Sequence, residues 1–126
     1  MNHPDHYTKN GIEHWDYVLK TQLGYLLGCA TKYLFRSNHK GTRKQDLNKV
    51  LTYVDKFIET KEEQNIPQDY ISSVGLFYLL TDISDEVKDI LWMIDKINIM
   101  NKEDEEELLH LKELIHEKVS KLKCTK

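Results

Sequence analysis

Two apolar stripes repeat at the same helical period on either side of a short polar turn, and this pairing constrains the fold more than any other feature. Leu23, Leu26, Leu27, Ala30, Tyr33 and Leu34 fall at i, i+3, i+4, i+7, i+10 and i+11, one side of an α-helix. Leu47, Val50, Leu51, Val54, Phe57 and Ile58 repeat that spacing. Between them stands Ser37-Asn38-His39-Lys40-Gly41, a turn-forming cluster that ends the first helix before Ser37. The pattern predicts an αα-hairpin with facing stripes, its second helix running from about Gln45 to Glu62.

The flanking segments continue in the same manner. Met1 to Gly11 is polar, broken by His3-Pro4 and Asn10-Gly11, and reads as an ordered arm. Ile12 to Thr21 fits a short helix burying Ile12, Trp15 and Val18 or Leu19. Asn65-Ile66-Pro67-Gln68-Asp69 marks a boundary between a module at 1–64 and a helical extension at 65–126. That extension either packs on the module or forms an oligomer interface. Tyr70 to Leu80 is apolar and is compatible with helix or strand. Ser84 is a plausible N-cap for a helix buried through Val87, Ile90, Leu91, Ile94 and Ile97. Asn101 would cap a last helix with Leu108, Leu111, Ile115, Val119 and Leu122 on one side. The expected fold is an all-α bundle built on the hairpin, with an ordered N-terminal arm.

Composition removes several other classes. Five Gly and two Pro in 126 residues are too few for a turn-rich β-sandwich. Two cysteines, Cys29 and Cys124, frame neither a disulfide scaffold nor a four-thiolate zinc site. The apolar run from Ile71 to Leu80 is about half a bilayer span, and no signal-peptide pattern opens the chain. A cytoplasmic protein with no membrane partner is expected. The net charge of −3 hides a division. Residues 1–58 hold nine Lys/Arg against five Asp/Glu, and residues 59–126 hold nine Lys against sixteen Asp/Glu. A basic front half suits an anionic ligand, whereas the acidic back half argues against nucleic acid. The acidic charges also fit a plain solvated helix face.

The basic residues have a helical arrangement. Lys32 and Arg36 are four apart and share a face. His39, Lys40, Arg43 and Lys44 follow, and Lys49, Tyr53 and Lys56 occupy a polar flank of the next helix. A phosphate needs converging N–H donors, bidentate from Arg and point-like from Lys, and this hairpin supplies both. The alternative is a solvated basic edge paired with acidic neighbours. Asp46 is either a cap-region anion or an anchor for a nearby cation. His3, His6 and His14 lack a metal-ligand spacing, so no metal centre is expected there. The pairs Glu59-x-x-Glu62 and Glu86-x-x-Asp89 are the alternative metal reading, as carboxylates for Mg²⁺.

Taken in order, Asn2-His3-Pro4-x-His6-Tyr7, Gly11-Ile12-Glu13 with Asp16, Gly28-x-Ala30-x-Lys32-Tyr33-x-x-Arg36, Lys40, and Asp46-Leu47-x-Lys49 with Tyr53 form one set. The set resembles a small domain of tailed-phage proteins, a family of unknown function (DUF3310-type) related to the nucleotide kinase of T7-like phages. The resemblance covers about residues 1–60. It implies a nucleotide-metabolism protein of the infected host cytoplasm, a kinase-like enzyme acting on deoxynucleoside monophosphates. Lys32, Arg36 and His39 would then serve catalysis. His3, Pro4, His6, Tyr7, Lys32, Tyr33, Arg36, Lys40, Asp46, Lys49 and Tyr53 would hold the nucleotide.

Two departures open other expectations. Cys29 stands where that family usually has Asn, and Ser37-Asn38 replaces a usual Ala-Gly. The Cys29 departure and the absence of a P-loop both fit a binder that sequesters a nucleotide signal of host defence without turning it over. Residues 85–92 are also similar to the metal-binding helix of MazG-type nucleotide pyrophosphohydrolases, with Mg²⁺ on Glu86 and Asp89. A homo-oligomer is expected, because the stripe of the last helix has the form of an interhelical seam. The same stripe could instead pack on the chain's own Ile90–Ile97 helix.

Overall fold

The structure, a computed structural model, describes residues 14–37, 41–61, 71–80, 83–100 and 103–124. These form α1 (His14–Thr21), α2 (Tyr25–Arg36), α3 (Arg43–Glu59), a 3₁₀ helix (Ser73–Leu79), α4 (Asp85–Ile99) and α5 (Glu105–Lys123). The fold is all-α, as the apolar periods predict. The expected arm with His3, Pro4, His6 and Tyr7, and also Ile12, His39, Lys40, Glu62, the boundary at 65–69 and Asn101, lie outside the described residues.

Helices α2 and α3 make the predicted hairpin and form the most extensive helix pair. Leu27, Ala30 and Leu34 from α2 and Leu47, Val50, Val54 and Phe57 from α3 are buried. The first helix ends at Ser37, whose N–H reaches the Tyr33 carbonyl at 2.9 Å and whose hydroxyl donates to Leu34 at 2.6 Å. Gly41 then takes φ 93°, a conformation that side chains disfavour. Helix α3 starts at Arg43 rather than Gln45, because Thr42 and Asp46 close its first turn through bonds of 2.8 and 2.9 Å. It ends at Glu59 rather than Glu62: the Thr60 N–H still reaches the Lys56 carbonyl, but the Lys61 N–H turns to the Ile58 carbonyl at 3.4 Å, leaving the α-helical ladder. Lys61 is buried beyond it, with Nζ donating to the Asn98 carbonyl at 3.2 Å and lying 4.7 Å from the Phe57 ring centroid.

The α1 expectation needs correction. The helix buries Tyr17 and Thr21 and leaves Trp15 50% and Leu19 73% exposed. Tyr17 wins the inward position because its ring meets Phe35 at 5.2 Å while its hydroxyl bonds Ser73. Helix α2 thereby buries a second face, through Thr31 and Phe35, towards α1.

The segment 71–80 resolves into the 3₁₀ helix, with Ser72 at its N-cap accepting from the Val74 N–H at 3.3 Å. Ser84 caps α4 as expected, accepting from the Val87 N–H at 3.3 Å. The whole predicted α4 stripe is buried. Asp104, not Asn101, occupies the α5 cap position, and it makes no side-chain cap bond. Leu108, Leu111, Ile115, Val119 and Leu122 are buried within the chain, where α5 packs on α3 and α4. Polar links add to this packing: His116 to Asp55 and Lys123 to Asn48, both at 2.7 Å, and Lys118 to Asp89 at 3.6 Å. The stripe read as a seam is thus consumed by the fold, and a second copy would have to meet another surface.

A buried polar chain ties the two halves together. The Asp95 carboxylate accepts from the Ser73 N–H and from the Ser72 hydroxyl, and Ser73 bonds the Tyr17 hydroxyl. Burial pushes the Asp95 carboxyl above the ordinary carboxylate range, against the lowering effect of these donors. Asp95→Ala should destabilise by about 1–3 kcal/mol, since it orphans a buried N–H. Asp95→Asn keeps an acceptor and should cost clearly less. Urea unfolding of both variants checks this, and equal losses would mean that the bonds contribute nothing.

Candidate functional site

With both apolar faces of α2 occupied, its third side carries Tyr25, Cys29, Lys32, Tyr33 and Arg36. Helix α3 sets Lys49 and Tyr53 beside them. Tyr33 and Tyr53 stack at 5.9 Å with their planes 12° apart. Around the Tyr33 ring lie the Lys49 ammonium at 4.8 Å, the Arg36 guanidinium at 5.8 Å and the Lys32 ammonium at 5.9 Å from the centroid. Among the described residues, none of these three cations forms an ion pair with a carboxylate. The acidic partners that a solvated basic edge would use go elsewhere, as Glu59 does to Lys56 at 4.0 Å. The ring quadrupole attracts each cation modestly, but the cations repel one another, so an arriving anion gains from all three.

Tyr25 extends the cluster. Neighbouring Cys29, Tyr53 and Tyr33 hold its phenol above the ordinary tyrosine value. The Tyr53 phenol is also raised, chiefly by Cys29. Both hydroxyls are protonated at neutral pH, as an ordinary phenol also is. Neither Tyr25 nor the position of Cys29 stood among the sequence-derived site residues. The signal was present as the i, i+4 pair Tyr25 and Cys29 on the Lys32–Arg36 side.

Five of the expected residues converge here: Lys32, Tyr33, Arg36, Lys49 and Tyr53. Asp46 does not join them as a ligand group. It is buried at 2% exposure and accepts from Thr42, so it follows the cap-region alternative. His3, Pro4, His6, Tyr7, His39 and Lys40 lie outside the described residues. Glu86 is exposed on α4, and Asp89 engages Lys118. Among the described residues, no three His, Cys, Asp or Glu side chains gather as a metal-binding group.

Between α1 and α2 opens a cleft of about 690 Å³, walled by Trp15, Val18, Leu19, Leu23 and Tyr25 and bordered by Cys29 and Lys32. His14 also lines it, with Nε2 and the Thr31 hydroxyl 2.8 Å apart. Burial, helped by the Lys32 charge, pushes the His14 imidazole down to about 4, so this side chain of the wall is uncharged at neutral pH.

Two outcomes follow from these environments. Unfolded His14 takes its proton near pH 6.5 and folded His14 near 4. Stability is therefore complete above pH 6.5 and declines as pH falls through that window, by at most about 3 kcal/mol. His14→Gln should flatten this part of a melting-temperature profile. Lys49→Gln relieves repulsion within the cluster, so its stability should be unchanged to about 0.5 kcal/mol or slightly raised, most visibly at low salt. A marked loss on thermal unfolding would show Lys49 to be a structural partner instead.

No curated protein and no solved structure shows significant similarity to this chain. Residues 1–55 match the model of a family described as a protein of unknown function (DUF3310). The matched region contains α1, α2 and most of α3, with every residue of the cation cluster and the cleft, so the candidate site lies wholly within the part of the chain that is similar to DUF3310.

Proposed function

We propose that this protein binds a nucleoside phosphate, with the phosphate oxygens held by Lys32, Arg36 and Lys49 around Tyr33. The observation that carries this reading is the gathering of three cations on one aromatic ring without a described carboxylate paired to any of them. In a chain with 21 Asp and Glu, such a concentration of one sign suits a multiply charged anion. Arg36 offers a planar fork, and the lysines add point charge.

The resemblance to phage nucleotide kinases supports deoxynucleoside monophosphates as the ligand class and makes phosphoryl transfer the first activity to assay. In that reaction the same cations would stabilise charge spread over the moving phosphoryl group. Mg²⁺ would enter with the triphosphate donor. Binding without turnover is the second reading. It is favoured by the make-up of the cluster, which among the described residues offers cations, phenols and a thiol but no carboxylate to seat a metal. Sequestration of a nucleotide signal would need nothing more.

Calorimetry at low salt with a panel of deoxynucleoside monophosphates and nucleoside triphosphates tests the binding. Arg36→Ala should weaken it about tenfold or more, since a charge-assisted hydrogen bond contributes about 1.5–3 kcal/mol. Chromatography of mixtures with a triphosphate then separates the two readings: a diphosphate product establishes transfer, and unchanged nucleotides establish sequestration. No binding heat with any nucleotide would falsify both.

A further inference from the structure

The α1–α2 cleft enters the nucleotide reading through one shared residue. Lys32 borders the cleft, and its ammonium also belongs to the Tyr33 cluster. The volume of about 690 Å³ falls within the roughly 300–1,000 Å³ typical of small-molecule sites. Large apolar side chains are kept at the surface here: Trp15 is 50%, Leu19 73% and Tyr25 77% exposed. Aromatic faces left beside a short cation cluster are what a flat, amphipathic ligand needs.

We propose that this cleft is the base subsite of the nucleotide site, with the nucleobase against Trp15 and Leu19, the sugar near Lys32, and the phosphate on Lys32, Arg36 and Lys49. This inference rests on the nucleotide-binding reading and deepens it. A nucleoside monophosphate is apolar-faced at one end and dianionic at the other, and the protein surface presents the complementary pair in the same order with Lys32 at the junction. The uncharged His14 wall suits a neutral base. Asp16, the only carboxylate among the described lining residues, is an acceptor for N–H or hydroxyl donors on base or sugar. A free phosphate or pyrophosphate uses the cluster and leaves the cleft empty.

Trp15→Ala and Leu19→Ser in the full chain test this, because both positions are exposed and tolerate change without loss of the core. Calorimetry should show each variant weakening deoxynucleoside monophosphate binding at least tenfold while pyrophosphate affinity stays within twofold. Arg36→Ala should weaken both ligands. The chain has two tryptophans, so Trp92→Phe leaves Trp15 as the single reporter. Its emission should be quenched by a nucleoside monophosphate and unaffected by pyrophosphate. Nucleotide affinity unchanged in both cleft variants, or Trp15 emission unmoved at saturation, overturns the base subsite and leaves the phosphate cluster standing. A native chain that binds neither pyrophosphate nor any nucleotide overturns the cluster and the subsite together.

Discussion

Helix α2 is held from two sides, and the candidate site follows from that constraint. Leu27, Ala30 and Leu34 are buried in the hairpin with α3, while Thr31 and Phe35 are buried towards α1. A helix has only one circumference. With two arcs committed to burial, Lys32, Tyr33 and Arg36 emerge together on the remaining arc. Helix α3, fixed by its own stripe, then delivers Lys49 and Tyr53 to the same place. The cluster is thus imposed by packing elsewhere, and its like charges are tolerated because the core on the other sides holds the helix.

The second constraint is polar. Tyr17, Ser73, Ser72 and Asp95 form one hydrogen-bonded chain that joins α1 to the 3₁₀ helix and the 3₁₀ helix to α4. A buried carboxylate is costly unless its oxygens are satisfied, and here an amide and a hydroxyl of the 3₁₀ N-terminus satisfy one of them. The same chain orients α1. With Tyr17 drawn inward, Trp15 and Leu19 turn outward and become walls of the cleft. A stability requirement on one face of α1 therefore shapes the candidate ligand surface on its other face.

Charge division along the chain gains meaning from this arrangement. The basic half contains the hairpin, and the acidic half supplies partners mainly to its own helix surfaces, as in the Lys121–Glu117 and Lys118–Asp89 pairs. Other described cations, Lys44 and Lys88 among them, also form no ion pair with a described carboxylate, but Lys32, Arg36 and Lys49 gather on one ring. That gathering of like charge, rather than the net charge of −3, is the basis of the proposed anion site.

Much of the fold was legible in one dimension because helix burial is periodic. The stripes of α2 to α5 and the Ser84 cap depend on spacing and on local hydrogen-bond chemistry, which residue order states directly. The grouping of Lys32 with Arg36 was legible for the same reason. Other features depend on which long-range partner is available. Asp95 sits in the buried arc of α4 only because Ser72 and Ser73 come to meet it, and Tyr17 displaces Trp15 only because Ser73 is within reach. The α5 stripe carries the same period whether it faces a second copy or its own chain, so periodicity alone could not choose between them. The tertiary structure decided these points because satisfying a buried polar group, or an apolar stripe, requires a partner whose distance along the chain says nothing about its distance in space.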